Sequence, residues 1–148
     1  MFEFAGILTS LFITAVSLLI SVLFLLTLNN TLKEVSPENR LVPYNNVWLM
    51  LIPLFNVFYA FYLYPKLCDS IKAEFEARGI EEKGDYGKTI GLVLASITIA
   101  LFIEPIQNYA QLVSAVLLII FWVKISGYKN KLINTPKGID MIGKDLDD

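Results

Sequence analysis

Long stretches of this chain contain no Asp, Glu, Lys or Arg, among them Ile7 to Leu28, Leu41 to Tyr64 and Thr89 to Ile103. The first two reach the ~20 apolar residues that a helix needs to cross a ~30 Å hydrocarbon core. No other feature restricts the fold as strongly. In lipid every backbone N–H and C=O must be paired from within, which a helix achieves in a single segment. Composition agrees, with 55% hydrophobic residues among 148 and a mean hydropathy of +0.59. The sequence predicts an all-α integral membrane protein of one domain.

Four spans are expected, at about residues 4–28, 46–65, 88–103 and 108–128, followed by a polar and partly disordered tail over 129–148. They would pack as a four-helix bundle in which helices 3 and 4 form a tight antiparallel hairpin. The break between those two is set by Glu104-Pro105, since a residue before proline avoids helical backbone angles. The opening stretch does not read as a cleaved leader. No Lys or Arg precedes it, its apolar run is long, and no small-residue cleavage site follows.

Helix 1 carries Gly6, Ser10, Thr14, Ser17 and Ser21 at spacings of three and four, which places them on one face. Such a stripe lets another helix approach closely in lipid. A polar lining for a ligand path is the second reading, although Ser and Thr can bond their own helix carbonyls and need no water.

Within the segment Arg40 to Gly79, a polar approach over 40–46 is expected to lead into one long helix from Asn46 to Arg78, kinked at Pro53, which lacks an N–H and presses on the preceding turn. Asn56 falls near the middle of that span. The expectation is structural: its carboxamide bonds a carbonyl freed at Pro53 or a hydroxyl of helix 1, with a ligand or ion contact as the alternative. Beyond Pro65 the helix should continue as an amphipathic cytoplasmic arm to Gly79, bent at the headgroup level and lying shallow. Leu67, Ile71 and Phe75 share one face of the arm, while Lys72–Glu76 and Glu74–Arg78 are opposite-charge pairs elsewhere on it. That apolar face rests on lipid or on the bases of helices 3 and 4, or else it docks a partner.

The chain has no histidine. This removes His-based zinc and haem ligation, Ser-His or Cys-His nucleophiles and His proton transfer. A single cysteine, Cys68, excludes an intramolecular disulfide. With net charge −2 and no basic cluster, nothing points to nucleic acid. No catalytic residue, metal site or cofactor is expected. Asp69, Glu74, Glu76 and Tyr86 are the only candidates for chemistry at a lipid interface, and carboxylates on a surface helix are ordinarily a solvated face.

With four crossings, ten of the twelve Lys and Arg residues fall on the side of the 65–88 loop and the tail, and only Lys33 and Arg40 on the other. The positive-inside rule then puts both termini in the cytoplasm. Helix 1 alone disagrees, because Lys33 follows it and no cation precedes it.

The block Val47 to Asn56, with Asp69 to Phe75, Gly84-Asp85-Tyr86-Gly87-Lys88 and Trp122 to Lys131, resembles a family of short bacterial membrane proteins of unknown function. The resemblance implies a bacterial inner-membrane four-helix protein and brings no activity with it. The expected role is a non-catalytic membrane subunit or adaptor, binding a protein partner or copies of itself through helix 1 and the arm 66–79. A small homo-oligomeric channel or transporter is the alternative. It is disfavoured because no charge lies at central membrane depth.

Overall fold

The computed structural model describes residues 2–135, and the tail expected to be disordered lies, from residue 136 on, outside them. Among the described residues the structure is all-helical: α1 (Phe2–Glu34), a 3₁₀ helix (Tyr44–Leu51), α2 (Phe55–Ala77), α3 (Lys88–Ala100) and α4 (Gln107–Asn134). Two of these helices, α1 and α4, are long and apolar enough to cross a membrane.

Helix α1 runs six residues past its expected end at Leu28. Leu25, Leu28, Leu32 and Val35 extend one buried stripe beyond the charge-free stretch, so packing carries the helix through Asn29-Asn30-Thr31. Arginines pair its terminal carbonyls. Arg40 Nε donates to Leu32 O at 2.8 Å, Arg40 Nη2 to Val35 O at 2.8 Å, and Arg78 Nη2 to Glu34 O at 2.7 Å.

The expected span 46–65 is not one helix, and Pro53 kinks nothing. The chain rises from Tyr44 as a 3₁₀ helix, and Ile52, the residue before proline, is extended (φ −78°, ψ 114°). Leu54 takes φ 63°, and Phe55 N–H donates to Pro53 O at 2.7 Å, which closes a tight reverse turn. From there α2 descends. Eight residues of 3₁₀ helix rise only about 16 Å, roughly half a membrane, before the chain turns back. This segment is a hairpin whose two ends meet, Leu41 N–H donating to Ser70 Oγ at 2.9 Å.

Helix α2 continues without interruption through Pro65 to Ala77. Its end follows the glycine rule. Gly79 has φ +67°, Ile80 N–H donates to Phe75 O at 2.9 Å, and Gly79 N–H to Glu76 O at 3.2 Å.

The start of α3 is set by Asp85, whose carboxylate accepts from Gly87 N–H at 3.0 Å and Thr89 N–H at 2.7 Å. Those bonds, first of all with Thr89, hold its pKa down to about 2. The α3–α4 hairpin forms as expected. Helix α4 continues past residue 128 to Asn134, so the tail opens as helix; Tyr128 and Leu132 are buried and extend the packed face.

The elements close into a ring. Helix α1 packs on the 3₁₀ helix and on α4, the 3₁₀ helix on α2, α2 on α3, and α3 on α4. The densest packing lies at one end, here called the base, around Leu63, Leu67, Ile71, Phe75, Phe121 and Ile125, all fully buried. At the other end α1 stands alone, with residues 3–20 exposed throughout.

Candidate functional site

Two places gather polar groups: a buried ionic node in the base and a cavity at the centre of the ring.

The node is built on the arm of α2. Glu74 is 1% exposed and Arg78 5%, with Arg78 Nη2 2.7 Å from Glu74 Oε1. Glu74 also accepts from Ser36 N–H at 2.9 Å, Ser36 Oγ at 2.8 Å and Asn39 Nδ2 at 2.8 Å. Arg78 Nη1 donates to Leu132 O at 2.6 Å and Thr135 O at 2.7 Å. One ion pair therefore ties together the ends of α1 and α4 and the loop after α1. Burial pushes the Glu74 carboxyl up, but the donors of Asn39, Ser36 and Arg78 outweigh it and hold the pKa below the ordinary value. Every lone pair of this carboxylate that the fold can reach is occupied, as befits a structural group.

This geometry corrects two expectations. The loop between Lys33 and Arg40 was expected on the opposite side from the arm 66–79, yet its Ser36 is hydrogen-bonded to Glu74 of that arm. The termini were expected on one side, yet Phe2 begins the free end of α1 while Thr135 is held in the base. Both differences follow from the turn at 52–55, which stands where a single helix over 46–65 was expected.

The face Leu67, Ile71, Phe75, expected to rest on lipid, on the bases of helices 3 and 4 or on a partner, is covered within the chain, all three side chains being fully buried. Phe75 meets Tyr86 and Tyr128 edge-on, with ring centroids 5.5 and 5.6 Å away. The other candidates for chemistry are engaged in pairs. Asp69 binds Lys88 at 2.9 Å, Glu76 lies 3.8 Å from Lys72 on an exposed face, and Tyr86 Oη donates to Glu82 O at 3.2 Å. Among the described residues no cluster of three or more acidic or thiol groups could hold a metal ion.

The cavity has a volume of about 360 Å³ and is lined by every element of the ring. Its floor is aromatic: Phe24 and Tyr64 line it, and Phe121 packs against both, its ring centroid 4.9 Å from that of Tyr64. Above the floor each α-helix contributes one Ser, Thr or Asn: Ser21 from α1, Asn56 from α2, Thr98 from α3 and Ser114 from α4. Ser21 and Thr98 donate to their own helices, at Ser17 O and Leu94 O, both at 2.9 Å. Neither bond reaches Asn56, so the expected link from Asn56 to a helix 1 hydroxyl is not made by Ser21. The rim is Leu18, Leu51 and Leu101. Leu18 and Leu51 are exposed, so the cavity opens at the end away from the base.

Of the residues singled out on helix 1 and at the turn, the structure brings Ser21 and Asn56 together in this cavity and leaves Ser10, Thr14, Ser17 and Pro53 exposed outside it. Thr98, Ser114 and Tyr64 were missed. A signal for them exists in the sequence. Asn56 stands ten positions from Lys66, Thr98 ten from Lys88 and Ser114 ten from Lys124. At ~1.5 Å per residue, each polar group sits about 15 Å along its helix from a lysine.

No protein-family model matches this chain, no curated protein matches it, and no solved structure matches it. The resemblance to short bacterial membrane proteins thus rests on the quoted residues alone.

Proposed function

We propose that this chain is a non-catalytic protein of the bacterial inner membrane, a subunit or binding protein with its base in the cytoplasm and the start of α1 outside. The observation that carries the reading is the segregation of charge. All ten Lys and Arg residues of the described chain, Lys33 and Arg40 now included, belong to the base, whereas the far end has only Glu3 and Glu104. The positive-inside rule then acts on the whole chain in one direction. It also agrees with helix 1 taken alone, so the disagreement in the sequence disappears.

In this arrangement α1 spans, α3 and α4 form a hairpin, and the 3₁₀ helix with the start of α2 forms a shallower one. A re-entrant segment of this kind is tolerated in lipid when it is packed within protein, and here α1 and α2 flank it. A subunit role fits the described carboxylates of the arm, Asp69, Glu74 and Glu76, all of which are held in ion pairs. It also fits the unpartnered length of α1, where Ser10, Thr14 and Ser17 offer another helix a close approach. The arm 66–79 takes no part in partner binding, because its apolar face is already used. A pore through a single chain is disfavoured by the aromatic floor of the cavity.

Cysteine labelling of intact cells tests the threading. Cys68 is buried and gives no background. An impermeant thiol reagent should modify Glu3→Cys and leave both Glu38→Cys and Lys83→Cys unmodified until the cells are opened. Labelling at 38 but not at 83 would restore the four-crossing topology and overturn the proposal.

A further inference from the structure

We infer that the central cavity binds a neutral, lipid-soluble molecule carrying a free hydroxyl group, of which a long-chain alcohol is the simplest. The inference rests on the membrane reading above, and its test is arranged to separate the two.

Charge excludes the first class of ligand. The lining contains no Asp, Glu, Lys or Arg, and an ion about 15 Å below the lysines, near the middle of a ~30 Å core, would have no counter-charge. Hydrogen bonding then narrows the neutral ligands. Ser21 and Thr98 have given their protons to their own helices and present acceptor oxygens, whereas the Asn56 carboxamide offers N–H donors. A group that both donates and accepts satisfies the two sets at once. A hydroxyl does so, a ketone or quinone accepts only, and a hydrocarbon does neither.

Access points the same way. The mouth lies between Leu18, Leu51 and Leu101 at the apolar end, so entry is from the bilayer and not from the cytoplasm. The aromatic floor of Phe24, Tyr64 and Phe121 blocks passage to the base. A volume of about 360 Å³ falls within the ~300–1,000 Å³ typical of small-molecule sites.

The test uses the full chain in phosphatidylcholine nanodiscs and a hexadecanol bearing a mid-chain diazirine. Irradiation should label peptides containing residues 50–60 and 112–118. Excess hexadecanol should suppress that labelling, whereas hexadecane and palmitate should not. Asn56→Leu should raise the competing concentration about tenfold, the effect of one lost hydrogen bond or slightly more. Ser114→Leu, which also fills the cavity, should abolish the labelling and serves as the second variant if Asn56→Leu fails to fold. Labelling confined to the exposed length of α1 and unchanged in both variants would overturn the inference, and equal competition by palmitate would overturn its ligand class. Failure of the protein to enter nanodiscs would instead overturn the membrane reading.

Discussion

Glu74 and Arg78 show how far the environment of one residue decides its role. In sequence they are an i,i+4 pair like Lys72–Glu76, and an exposed pair of that kind contributes about 0.3–0.5 kcal/mol. In the fold Glu74 is 1% exposed, and it joins Ser36, Asn39 and Arg78, while Arg78 joins Glu34, Leu132 and Thr135. Removing one partner leaves the other charged and buried, so Glu74→Ala should destabilise by about 3–5 kcal/mol. Glu76→Gln, on the exposed side with its partner 55% exposed, should stay within about 0.5 kcal/mol. Unfolding in mixed micelles with increasing denaturing detergent compares the two directly. Similar small effects would mean that the ends of α1 and α4 are held by packing and not by the ion pair. The difference was partly legible: Glu74 lies three residues after Ile71 and Arg78 three after Phe75, so both charges border the apolar face. Only the loop after α1, folded over that border, buries them.

At the scale of elements, helices were easier to read than their relations. Helix α1, the α3–α4 hairpin and the stop at Gly79 follow from apolar runs, Glu104-Pro105 and the glycine. The hairpin of the 3₁₀ helix and α2 does not, because a charge-free run of twenty-four residues and a single proline fit either a kinked crossing or a return. What separates them is whether residues 35–43 and 66–79 meet, a tertiary fact. Close contact between helices is similarly hidden in single glycines. A Cβ on Gly91 would stand 2.9 Å from Tyr64 Cβ and 3.2 Å from Phe121, whereas one on Gly127 would meet nothing within 4 Å. Tyr64 Cβ is fixed to the α2 backbone and cannot swing aside. Gly91→Ala should therefore push α2 from α3 and destabilise by about 1–3 kcal/mol. Gly127→Ala, inside α4, should stabilise by about 0.5–1 kcal/mol through helix propensity. Thermal midpoints in detergent should move in opposite directions. A drop for both would show that Gly127 faces a partner helix.

For the molecule as a whole, the sequence yields the solvent preference of each segment but not its side. Counting cations by side presupposes the number of crossings, and one misread crossing moves Lys33 and Arg40 across the membrane. On the proposed membrane reading the side is a collective property of the base. Flipping α1 alone would tear Ser36 from Glu74, Arg78 from Glu34 and Trp122 Nε1 from Thr27 Oγ1, the last a bond of 2.9 Å. Flipping everything would carry the ten described cations outward against the bias that favours them inside. Local charge around α1 should consequently matter little. Glu3→Lys together with Lys33→Glu reverses the bias of that helix and leaves nine described cations in the base. The double variant should keep its threading, with Lys83→Cys still protected from impermeant reagent in intact cells. If position 83 becomes reactive, the orientation is set by α1 as it leaves the ribosome and not by the assembled base.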